Sequence, residues 1–88
     1  MTMAYLENQG LIGEVSYYAN QFAISYILRV WRRSDILDNI GNSSFIDPIY
    51  GMSFSDGVRA EDRLLELLEH PAWTLLKYGK MNTVVLQF

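Results

Sequence analysis

An 88-residue chain with a formal net charge of −3 has room for one domain and one modest hydrophobic core. It contains no cysteine, which excludes disulfides, thiolate metal sites and cysteine nucleophiles, and its mild negative charge argues against a general nucleic-acid binder, which is normally basic. Charged residues make up 19 % of the chain, below the roughly 25 % typical of soluble domains, while hydrophobic residues reach 50 %.

So much apolar material on so small a body points to a buried interface, with a second copy or with another protein. No charged segment followed by an apolar run and a cleavage site marks a signal peptide. No window approaches the roughly 20 apolar residues that span a bilayer. The expectation is a cytoplasmic protein that does not enter membranes.

In chain order, Met3–Leu6 reads as a brief strand or ordered arm. Asn8-Gln9-Gly10 is a turn signal, and Gly13 is a second break. From Glu14 to Arg33 no Gly or Pro interrupts the chain, and Glu14, Gln21, Ser25, Arg29 and Arg32 are spaced so that they share one narrow sector of a helix. The rest of that wheel is apolar, which predicts a helix over 14–33 buried on more than one side. The competing reading is a β-hairpin over 14–31, because Phe22, Ile24, Tyr26, Leu28 and Val30 alternate with their neighbours and are of strand-favouring types. That reading has to turn at Ala19-Asn20 without the glycine that a two-residue turn usually takes.

Ser34, Asp35 and Gly41 frame a short helix over 35–40. Residues 42–56 are the least regular part, and the apolar patch Ile49-Tyr50 with Met52 and Phe54 reads as a packed loop or small hairpin. Ser55-Asp56-Gly57 opens the clearest helix, over 57–70, with Leu64, Leu65, Leu67 and Leu68 on its apolar side. Pro71 stops it and begins a helix over 72–78 that Gly79 closes. Residues 82–88 alternate as a terminal strand that needs a pairing partner. The predicted architecture is a helix-dominated α+β single domain over 1–88, with the hairpin over 14–31 as the alternative. Its expected core is Phe22, Tyr26, Val30, Leu64, Leu68, Trp73 and Leu76.

Little here carries chemistry. His70, the only histidine, stands four residues after Glu66, and an enzyme needs a nucleophile that the sequence does not specify. Asp62 and Glu66 share a helix face, but Arg59 and Arg63 on the same surface neutralise them. No phosphate-cradling loop, nucleophile elbow or zinc spacing is present. Arg29, Arg32 and Arg33 flank Trp31, a grouping that suits the rim and anchor of a protein interface and also the grip of a phosphate with a stacked base. The sequence therefore predicts a non-enzymatic protein-interaction module without cofactor or metal, an adaptor or an inhibitor that occludes a partner's surface. Its partner-binding residues are Arg29, Trp31, Arg32 and Arg33, and it is expected to bind another protein or itself as a homodimer. The alternative is a nucleic-acid-associated regulator that uses the same four residues.

Overall fold

The computed structural model describes residues 2–38 and 47–79. Among these residues four strands form an antiparallel meander in the order β1 (Thr2–Asn8), β2 (Leu11–Ala19), β3 (Ile24–Arg32) and β4 (Tyr50–Phe54). A short helix, α1 (Arg33–Asp38), follows β3, and α2 (Gly57–Glu69) and α3 (Pro71–Tyr78) follow β4. Gln9 and Gly10 make the β1–β2 turn with φ of 45° and 87°. Positive φ at both central residues is the geometry whose twist matches a two-residue hairpin.

Alternation in β2 and β3 sorts side chains onto two faces. Leu11 and Val15 of β2 and Leu28 and Val30 of β3 turn inward and are fully buried. The helix α2 lays Ala60, Leu64, Leu67 and Leu68 against them, closing the core with Ile49. Each buried leucine contributes on the order of 1.5–3 kcal/mol. Gly13 faces α2 at the point of closest approach, where a Cβ would collide with Leu64 Cδ1.

The Asp56 carboxylate caps α2 by accepting from the Val58 N–H at 2.9 Å. Pro71 sits in the first turn of α3, so one residue, His70, separates the two helices. Their junction is tied by the buried Thr74 hydroxyl, which donates to the Leu67 carbonyl at 2.6 Å. At the same end of α2, the Asn8 side-chain amide donates to the Leu68 carbonyl at 2.7 Å, fastening the β1–β2 turn to the helix.

The helices over 57–69 and 71–78 lie where the leucine spacing and Pro71 put them. A helix over 14–33 does not form, and the domain is not helix-dominated. That stretch is the greater part of β2 and β3, paired from Leu11↔Arg32 to Ala19↔Ile24. Three of the five polar residues that share a sector of a helical wheel, Glu14, Ser25 and Arg29, also share one face of the hairpin. Glu14 pairs directly with Arg29, and Ser16 lies next to both on that face. Gln21 falls in the turn, and Arg32 alternates to the other side. The turn spans Asn20 to Ala23 rather than two residues, so it needs no glycine. Asn20 supplies it, its N–H donating to the Ala23 carbonyl at 3.0 Å while its side-chain oxygen accepts from the N–H groups of Phe22 and Ala23 at 2.8 and 2.9 Å.

Other expectations change with it. Gly13 lies inside β2 and breaks nothing. Residues 50–54 form β4, the edge strand of the sheet among the described residues. Of the expected core, Val30, Leu64 and Leu68 are buried and Tyr26 is half-buried, but Phe22, Trp73 and Leu76 are exposed by 85, 48 and 58 %. The expected strand over 82–88 and the end of the helix expected over 35–40 lie outside the described residues.

Candidate functional site

The inner face of the sheet is covered by α2, so surface features gather on the opposite face, at the sheet ends and on the outer side of the helices. On the opposite face Arg29 is held from several directions. Its Nη2 lies 2.6 Å from Glu14 Oε1 and 3.4 Å from Ser16 Oγ, and its guanidinium carbon lies 5.4 Å from the centre of the Trp31 ring. Its Nε is buried and makes no hydrogen bond among the described residues. A directly opposed carboxylate and guanidinium, with an indole two residues on, lock one another into a single arrangement.

The four residues singled out from the sequence do not make one patch. Arg29 and Trp31 share the outer sheet face. Arg32 alternates away from them and pairs with Asp35 at 2.9 Å, while Arg33, in the first turn of α1, pairs with Glu7 at 3.1 Å. All three guanidinium groups are bound to carboxylates. Of the two carboxylates read as sharing a helix face, Asp62 and Glu66, Glu66 lines a hollow together with His70. Glu66 pairs with Arg63 at 3.2 Å, and Asp62 is exposed on open helix surface. Among the described residues no group of three or more His, Asp or Glu side chains could hold a metal ion.

The most pronounced surface feature lies at one end of the sheet. Among the described residues, β1 pairs with β2 only as far as Ser16, and β4 pairs with β3 only as far as Tyr26. The rungs Tyr18↔Ser25 and Ala19↔Ile24 continue beyond both neighbours as a two-stranded finger. At about 3.4 Å per residue, these rungs and the turn project roughly 10 Å. Every residue from Tyr18 to Ile24 is exposed. Phe22 stands at the tip, 85 % exposed, with Tyr18 and Ile24 half-exposed behind it.

The finger is built to hold its shape. Three hydrogen bonds from or to Asn20 fix the turn. At the base, the Tyr17 and Tyr26 rings pack 5.5 Å apart. Tyr26 lies against the start of α2, where Gly57 leaves room that a Cβ would fill at 2.9 Å from the ring. From Val15 to Leu28 no residue carries a charge, and the Glu14–Arg29 ion pair closes that uncharged stretch at its root.

The sequence reading missed this site because it placed Phe22 in the core of a helix. Two signals were there to be read: an uninterrupted uncharged aromatic run, and an asparagine in its middle that can close a turn by itself. No protein-family model, curated protein or solved structure matches this chain.

Proposed function

We propose that this chain is a small protein-interaction module that engages its partner with the tip of the β2–β3 finger. The observation that carries the reading is Phe22, a phenylalanine 85 % exposed on a turn fixed by three hydrogen bonds. A flexible loop would fold such a ring back onto the body. Held outward, it offers on the order of 2–3 kcal/mol of apolar burial to whatever receives it, with the ordering entropy of the turn already spent. Tyr18 and Ile24 add apolar surface on the two faces of the finger behind it, and aromatic anchors seated in a pocket are typical interface hot spots.

The uncharged finger favours an apolar pocket on a protein, and occupying one suits either an adaptor or an occluding inhibitor. The nucleic-acid alternative is the weaker reading, because Arg29, Arg32 and Arg33 are each paired with a carboxylate and a phosphate would have to displace it. No helix among the described residues is long and apolar enough to cross a membrane.

The test places a photo-crosslinking residue at position 22 and compares the products with those of a Phe22→Asp variant carrying the crosslinker at Gln21. Discrete adducts that vanish with Phe22→Asp, while the melting temperature holds, support the finger. An adduct of twice the chain mass identifies a second copy as the partner. Adducts unchanged by the aspartate would refute the reading.

A further inference from the structure

A second site lies on the helical side of the molecule. Because His70 alone separates α2 from α3, the outward residue Trp73 of the second helix comes to stand beside Glu66 of the first. Glu66, His70 and Trp73 line an open hollow of about 400 Å³. Trp73 is 48 % exposed there, and Leu76, one turn further along α3, is 58 % exposed.

The lining has the chemistry of a cation receptor. The Trp73 ring already attracts one: the Lys77 ammonium lies 4.8 Å from its centre and 5.4 Å from that of Tyr78. Glu66 is 67 % exposed and gives one oxygen, Oε1, to Arg63. Arg63 is itself occupied, donating from Nε to the Tyr50 hydroxyl at 3.3 Å and from Nη2 to the Tyr78 hydroxyl at 3.0 Å. With its side chain two-thirds exposed, the Glu66 carboxylate stays open to an incoming donor. Asp62 and Glu69, one turn to either side of Glu66, are exposed as well. Of the described residues that line the hollow, Glu66 is the one carboxylate.

We propose that this hollow binds the guanidinium of an arginine side chain on a partner polypeptide. The planar guanidinium stacks on the indole face and points N–H groups at the exposed Glu66 carboxylate, a combination that a compact ammonium cannot match. Its methylene stem passes over Trp73 and Leu76. An anion would meet the Glu66 charge, and an uncharged apolar side chain would strip water from Glu66 and His70 without giving a hydrogen bond in return. Lys77 acts as a weak internal competitor for the ring. This site is independent of the finger and stands or falls without it.

The experiment titrates ¹⁵N-labelled protein with N-acetyl-arginine N-methylamide, and in parallel with its citrulline counterpart, which has nearly the same shape and no charge. The expected result is a saturable shift of the Trp73 indole N–H and of the Glu66 and His70 amides with the arginine probe only. The Trp31 indole and residues 18–24 should not respond. Glu66→Gln should weaken binding by roughly 1.5- to fivefold, the range of an exposed ion pair. Lys77→Met should strengthen it about twofold by freeing the ring. Trp73→Leu, at an exposed position, should abolish the response while the rest of the spectrum stays in place. Equal shifts with citrulline, no saturation at tens of millimolar probe, or weaker binding by Lys77→Met would each overturn the assignment.

Discussion

Gly13→Ala tests how α2 is seated on the sheet. A Cβ at residue 13 would fall on Leu64 Cδ1, within 3.1 Å of Leu68 Cδ1 and 3.5 Å of Val30 Cγ2. Leu64 and Leu68 are 3 and 1 % exposed and Val30 is fully buried, so none can swing into solvent. Overpacking of a closed core costs about 1–3 kcal/mol, and replacing a strand glycine returns about 0.5–1 kcal/mol of chain entropy. The net expectation is a loss of about 1–2 kcal/mol. For a domain of this size, each kcal/mol moves the midpoint by about 4–8 °C, so thermal unfolding followed by circular dichroism should show a fall of roughly 5–15 °C. Leu64→Ala alone costs about 2–5 kcal/mol through its cavity, and the new methyl at residue 13 fills part of that cavity. The double variant should therefore be more stable than the sum of the single losses predicts, by about 1 kcal/mol or more. A Gly13→Ala midpoint at or above the parent's, or strict additivity with Leu64→Ala, would mean that α2 does not press on the sheet at this point.

Three further outcomes follow from local geometry. Gln9 carries φ of 45°, a region that L side chains other than Asn and Asp enter at a cost, so Gln9→Asn should raise stability by about 0.5–1 kcal/mol in denaturant titration. Asn20→Ala removes two hydrogen-bond acceptor contacts from the finger turn and should cost about 1 kcal/mol, whereas Phe22→Ala at the exposed tip should leave the unfolding midpoint within a few tenths of a kcal/mol. Equal losses from these two changes would mean that the ring packs on the body. A double-mutant cycle on Glu14 and Arg29, each replaced by Ala, should return a coupling of about 1 kcal/mol that shrinks in high salt, since both side chains are only partly screened by burial.

Legibility varied along the chain with how local the deciding interaction is. The helix over 57–69 was readable because its cap, its leucine spacing and the following proline all lie within the segment itself. The stretch from Glu14 to Arg33 was not, since what decides it is pairing across a turn. Its polar spacing fits a helical sector in full and a hairpin face only in part, and the direct opposition of Glu14 and Arg29 and the burial of Leu28 and Val30 under α2 decide for the hairpin. The same error displaced Phe22 from the surface to the core. Trp73 and Leu76 were misplaced for another reason: α3 was expected to bury its aromatic face, but Thr74 and Pro71 are its buried residues, and Thr74 is turned inward by its bond to the Leu67 carbonyl. Grouping Arg29, Arg32 and Arg33 by sequence proximity ignored strand alternation, which sends Arg29 and Arg32 to opposite sides.

Part of the apolar excess of the composition has a definite address. A core that was merely rich in aromatics would leave large exposed side chains scattered singly, which is ordinary for a protein surface. Here Tyr18, Phe22 and Ile24 stand together on one uncharged projection and Trp73 and Leu76 lie one turn apart on α3, while Met3, Tyr5, Met52, Val58 and Leu65 are exposed elsewhere. The helix α2 connects these regions: Gly57 at its start meets Tyr26 at the base of the finger, and Glu66 and His70 at its end border the hollow. Its 13 residues span roughly 20 Å. A ligand as small as one arginine side chain cannot reach from one region to the other, so occupying the hollow should leave the finger free to bind. Saturating the hollow with the arginine probe should then leave crosslinking through residue 22 unchanged, unless a single large partner lies along the whole helix and touches both ends. In that case the probe would compete, and the strength of the competition would measure how much of the partner's affinity the hollow supplies.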